Sequence, residues 1–247
     1  MNHDGLAESQ ETASLKRLPN SDVSQRSGDK ATATPADAPA VNFLLAHGYG
    51  LDMAEKISML DLRANAPRFA AILEHYCRAA GLDVDVEANG TADVGWEEMA
   101  RIRNEFNADV PSSDGWRPAA ETAESVSERF RIEQGRGITR YGILIRHRAS
   151  GDAVAYTEVT AMRGARVAQQ NLTWVDRRYR GRKLSGLAKA ANAIRLVTEG
   201  NIDAVETWNA EGDRAMWAVN DRLGFALTNV EGEWFSVYRD ERWQPQA

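Results

Sequence analysis

Apolar residues recur at every second position in several stretches of the chain and at helical spacing in several others. LDVDVEA (82–88) alternates like a half-buried strand. TRYGILIRHR, AVAYTEVTAM and RVAQQNLTWV predict three more strands over 139–175, the first two joined by the turn ASGD. Between Leu82 and Thr139, WEEMARIRNEFNAD and PAAETAESVSERFRIEQG predict two helices, the second ended by Gly135 and Gly137. After Val175 the period changes. Leu184, Leu187, Ala188 and Ala191 lie on one helical stripe, which predicts a helix from Leu184 to Glu199 closed by Gly200. A short strand, IDAVETWN, and a helix, DRAMWAVNDRL, follow, the helix stopped by Gly224. FALTNV and EWFSVYR then predict a closing hairpin around Glu231-Gly232. The order is β-α-α-β-β-β-α-β-α-β-β, an α+β domain over 82–247.

Upstream the texture differs. Residues 1–40 are rich in Ser, Thr, Ala, Asp and Gln, with almost no aromatic side chains. Such a segment buries too little apolar surface to offset its ordering entropy, so a disordered tail is expected. VNFLLAHGYG reads as a helix end stopped by Gly48, and EKISMLDL as a strand with Ile57, Met59 and Leu62 apolar. Pro67 is expected to open a helix running to Gly81. Residues 41–81 thus form a helix–strand–helix extension.

Composition narrows the chemistry. A net charge of −6 argues against a general nucleic-acid binder. The cluster Arg177, Arg178, Arg180, Arg182 and Lys183 is therefore a local basic patch on an acidic protein. The one cysteine, Cys77, excludes an internal disulfide. Its place in FAAILEHYC predicts a buried structural thiol. There is no metal-ligand spacing, no apolar leader and no run long enough for a membrane span, so a cytoplasmic protein without metal or membrane partner is expected.

The basic patch surrounds Gly181 where a strand feeds a helix. Free N–H groups and the positive end of a helix converge at such a junction, and arginines add charge-assisted donors, which predicts a phosphate-bearing ligand. A solvated face or an RNA-docking patch are the competing readings.

This order and junction resemble the GNAT superfamily of acyl-CoA-dependent N-acetyltransferases. The family's motif Arg/Gln-x-x-Gly-x-Gly/Ala is matched by Arg178-Tyr179-Arg180-Gly181-Arg182-Lys183, with Lys183 in place of the last glycine and Ser185-Gly186 just beyond. TWNAEGDRAMWAVNDRLGF resembles the family's fifth strand, following helix and terminal Leu-Gly-Phe. The likeness covers about 82–240 and is closer to the C-terminal halves of tandem, two-domain GNAT proteins of the mycothiol-synthase type. Residues 43–62 then read either as the last helix and strand of a preceding GNAT domain or as a plain extension.

The resemblance implies a mixed, mostly antiparallel central sheet flanked by helices, with acetyl-CoA as co-substrate and a small-molecule amine as acceptor. It implies that the strand edge Thr173, Trp174 and Val175 pairs with pantetheine. The pyrophosphate would sit on N–H groups of Arg180, Gly181, Arg182, Lys183, Leu184, Ser185 and Gly186, with Asn209 contacting the cofactor. Glu158 is the first candidate for the base and Glu206 the second. Asn220 occupies the position of the family's tyrosine acid; an amide can hydrogen-bond a thiolate but cannot protonate it. Tyr156 and Tyr179 are the substitutes considered. His147 reads as a satisfied imidazole, Trp208 and Trp217 as core, and Gln169, Gln170 and Asn171 as either cleft-lining or solvated. The alternative function is a catalytically weak or inactive GNAT-fold module that binds acyl-CoA or serves structurally. An exposed strand edge in the N-terminal unit makes a homodimer one expected outcome.

Overall fold

A computed structural model describes residues 10–15, 39–89, 94–110, 118–210, 212–239 and 242–244. The chain divides into two compact units: 1–57 with 208–213 and 227–247, and 58–207 with 214–226.

The larger unit carries the sequence-predicted pattern. Its strands are β3 (Val84–Asn89), β4 (Ile138–His147), β5 (Ala153–Met162), β6 (Val167–Val175) and the start of β7 (Ala204–Ala210), following β1 (Gln10–Leu15) and β2 (Gly50–Asp61) in chain order. Neighbours run β7-β6-β5-β4-β3, antiparallel throughout except for the parallel pair β6–β7. One face packs on α2 (Leu62–Ala80), α5 (Leu184–Glu199) and α6 (Arg214–Leu223), through Phe69, Tyr76, Leu187 and Leu223. The other packs on α3 (Trp96–Asp109) and α4 (Ala123–Gly135), through Met99, Ile102, Val126 and Trp174.

Two helix starts differ from expectation because of their caps. α2 begins at Leu62, where the Asp61 carboxylate accepts from the Ala64 N–H at 2.9 Å, and Pro67 lies inside the helix. A proline there removes one intrahelical bond without ending the helix. α4 begins only at Ala123, because Thr122 and Ser125 form a reciprocal capping box that holds 118–122 outside it.

In the smaller unit, α1 (Pro39–Ala46) is packed through Val41 and Leu44 onto Trp234. β8 runs unbroken from Ala226 to Arg239, so the expected hairpin at Glu231-Gly232 does not form. Glu-Gly lacks the residue that enters a primed turn, and Gly232 does not take the positive φ such a turn needs. The final pairing is instead β8 with β9 (Arg242–Gln244). Within the expected disordered tail, Gln10–Leu15 forms a strand antiparallel to β8, from Gln10↔Val237 to Leu15↔Gly232. Backbone pairing onto an available strand organises it, without any apolar alternation of its own. The rest of that tail, residues 1–9 and 16–38, lies outside the described residues.

Candidate functional site

The site begins with an irregularity in β6. Its pairing with β5 shifts by one residue: Glu158 faces Leu172, but Val159 faces Gln170, which leaves Asn171 as the extra residue of a β-bulge. An extra residue reverses which face each later side chain meets. Ala168, before the bulge, packs with α5, whereas Leu172 and Trp174, after it, pack with α3. The Trp174 indole N–H donates to Glu105 on α3 at 3.1 Å, and Val175 is left against the α5 core. The opposite edge of β6 opens at the same place. Its parallel register with β7 covers only Val167–Gln169 against Ala204–Glu206, although β6 runs on to Val175.

Beyond Val175, Asp176 caps a short 3₁₀ turn (Arg177–Tyr179) by accepting from the Arg178 N–H at 2.8 Å. The chain then reaches α5 through Gly181 at φ 80° and Lys183 at φ 61°. Lys183 is the one non-glycine residue with positive φ among the described residues. It stands where the motif has glycine and keeps the left-handed backbone that glycine would take freely. No side chain caps α5, and its first helical bond is Leu187 N–H to the Lys183 carbonyl at 3.1 Å. The N–H groups of Lys183, Leu184, Ser185 and Gly186 therefore have no acceptor within the helix. Gly186 has a packing duty as well: an added Cβ would stand 2.3–2.7 Å from the Tyr76 ring.

The five cations of the loop separate into two groups. Arg177 and Arg180 both pair with Asp109, and Arg178 pairs with Asp176 at 2.8 Å and Asp152 at 3.5 Å. Burial opposes ionisation of Asp109, but hydrogen bonds from Arg177 and Arg180 outweigh it and hold its carboxyl below the ordinary range. Arg178 does the same for Asp176, and is itself held above the usual arginine range by that bond. Arg182 and Lys183 are exposed and take no salt-bridge partner among the described residues. A cavity of about 720 Å³ is lined by Arg101 and Glu105 of α3 and by Asp176–Arg178. Its guanidiniums are already paired, and the α5 start lies outside its lining.

Glu158 is 1% exposed, at the centre of an ionic network. Its Oε1 accepts from Arg140 at 2.6 Å and from Arg103 at 3.4 Å, and its Oε2 accepts from the Tyr156 hydroxyl at 3.0 Å. Arg103 is shared with Glu121, and Arg140 with Glu133. Burial pushes the Tyr156 phenol well above its ordinary range, and Glu158 adds to this. Burial works against the charge of Arg140, but Glu158 and Glu133 overcome it and raise its pKa.

The remaining candidates scatter. Asn220 is buried on α6, and its Oδ1 accepts from Lys189 Nζ at 2.6 Å. Asn209 and Glu206 are half-buried on β7, Asn209 in the smaller unit. His147 Nδ1 lies 3.1 Å from Ser150 Oγ and 3.5 Å from the Tyr179 hydroxyl. Trp208 and Trp217 are half-buried and belong to no core cluster among the described residues. Cys77 is exposed, contrary to the expected buried thiol, because α2 turns Phe69, Ile72, Tyr76 and Ala80 inward instead. The sequence pattern did not single out Arg103, Arg140, Lys189 or Tyr76. Their one shared signal is a charged or hydroxylated residue on the inward face of an element.

No family model matches the sequence, and no curated protein matches it. Solved structures do. A tandem GNAT protein from the clavulanic acid biosynthesis pathway is 28% identical over 92% of this chain, with a TM-score of 0.61. A GCN5-related N-acetyltransferase from Sphaerobacter thermophilus, 12% identical over 98% of this chain, superposes with a TM-score of 0.62. The chain spans 64% of the length of each. With its mixed, mostly antiparallel sheet between two helical layers, this chain has the GNAT fold, and its structural neighbours are GNAT N-acetyltransferases, a tandem GNAT protein among them.

Proposed function

We propose that the chain is an acyl-CoA-dependent N-acetyltransferase that moves an acetyl group from acetyl-CoA to the amine of a small molecule. The observation that carries this is the uncapped start of α5, entered through Lys183 in a left-handed conformation. It follows, after a short turn, a strand whose parallel pairing with β7 ends at Gln169 although both strands run on. The likeness to a tandem GNAT protein supports the same reading.

In this reading the backbone of Thr173, Trp174 and Val175 pairs with pantetheine. The N–H groups from Arg180 to Gly186 hold the pyrophosphate, and Arg182 and Lys183 supply charge. Each exposed cation adds under about 1 kcal/mol, so convergent N–H donors carry most of the affinity. The amine nitrogen attacks the thioester carbonyl carbon, the C–N bond forms, and the C–S bond breaks with its electron pair leaving on sulfur. A thiol of pKa about 8.5 departs as thiolate without prior protonation, so a hydrogen bond from Asn220 suffices at that position. In this reading the proton lost by the amine passes to Glu158, whose oxygens are both engaged, through a relay in which the Tyr156 hydroxyl, bonded to Glu158 Oε2, is the proposed member.

A second reading, a GNAT-fold module that binds acyl-CoA with little or no turnover, is favoured by those engaged oxygens and by the amide at residue 220. Calorimetry with acetyl-CoA and thiol release against an amine panel separate the two. Binding with release that falls about a hundredfold in Glu158→Gln supports the enzyme. Binding without release supports the module. No heat with acetyl-CoA or CoA at millimolar concentration sinks both.

A further inference from the structure

The β6 bulge creates a problem that one side chain solves. An extra residue breaks the ladder, and backbone groups beside it lose their regular partners. Gln170 Nε2 lies 2.8 Å from the Glu158 carbonyl, 3.2 Å from the Leu172 carbonyl and 3.0 Å from Thr157 Oγ1. Thr157 is fully buried, and its Oγ1 is 2.8 Å from Thr173 Oγ1. One amide thus ties together both strands at the bulge and, through Thr157, the first residue of the edge assigned to pantetheine.

We propose that Gln170 is a positioning residue for acyl-CoA: it clamps the bulge and thereby sets the backbone of Thr173–Val175 for pairing with pantetheine. This rests on the acyl-CoA reading above. The bulge decides that Leu172 and Trp174 face α3 while Val175 meets the α5 core. In the regular, unbulged register these assignments reverse. The clamp therefore selects one of two registers, and only one offers the edge in the required orientation. The phosphate cradle at α5 lies after Val175 and is held by its own turn, so Gln170 acts on the pantetheine half of the ligand and not on the nucleotide half.

The test exploits that division. Gln170→Leu keeps the volume and removes the donors; Thr157→Val removes one hydroxyl from the same cluster. Calorimetry is run with CoA and with 3′-phosphoadenosine 5′-diphosphate, its nucleotide half, after melting curves establish that each variant folds. Gln170→Leu is expected to weaken CoA about tenfold, and Thr157→Val about threefold, with the nucleotide half held within about twofold in both. If Gln170→Leu does not fold, Thr157→Val decides. Unchanged CoA affinity, or equal losses for both ligands, overturns the proposal. A wild-type chain that binds neither ligand overturns the acyl-CoA reading itself, and this one with it.

Discussion

Lys183 sits at φ 61°, where an L side chain costs about 1–2 kcal/mol relative to glycine. The motif's glycine is replaced in identity while its backbone conformation is retained. Lys183→Gly is therefore expected to raise stability by about 1 kcal/mol, read as a shift in the denaturation midpoint. It should lower CoA affinity only slightly, because one exposed cation is lost. Destabilisation would mean the left-handed geometry carries no strain. Gly186 is the opposite case. Its neighbour is the buried Tyr76 ring, and a methyl group would stand 2.3–2.7 Å from ring carbons. Gly186→Ala should cost about 2 kcal/mol through overpacking, measured by chemical denaturation. A neutral result would show that the ring swings aside freely. Both residues are legible in the sequence from their place beside Gly181, whereas Tyr76 is not, because it lies 110 positions upstream of Gly186 on another helix.

At the scale of elements, strands β3 to β6 and helices α3 and α5 were legible because each carries its own period and its own terminating glycine or turn. Three features were not. The bulge in β6 hides inside an apparently regular alternation: Ala168, Leu172 and Trp174 share one parity yet face two different cores. Only the pairing with β5 exposes the change of face. The Glu-Gly pair in β8 reads locally as a turn, yet Gly232 is ordinary strand backbone because pairing with β1 and β9 outweighs the turn signal. Pro67 is the local signal for the start of α2, whereas the Asp61 cap extends the helix upstream to Leu62, which is fully buried. In each case a partner distant in sequence decided the outcome.

At the scale of the molecule, the acidic net charge and the basic loop are reconciled by pairing. Three of the five loop cations are neutralised by Asp109, Asp152 and Asp176, which leaves Arg182 and Lys183 as the exposed positive charge beside the α5 start. The proposed phosphate cradle thus depends more on backbone N–H groups than the arginine count suggests. Its neighbour, the β6 edge, takes its orientation from a bulge. The buried carboxylate of Glu158 is held by Arg140, Arg103 and Tyr156. A ligand that bridges the β6 edge and the α5 start is the central claim, and hydrogen–deuterium exchange with saturating CoA tests it most directly. Amides of Thr173–Val175 and Leu184–Gly186 should exchange more slowly in the complex, while those of α4 stay unchanged. Unaltered exchange in both segments would contradict it.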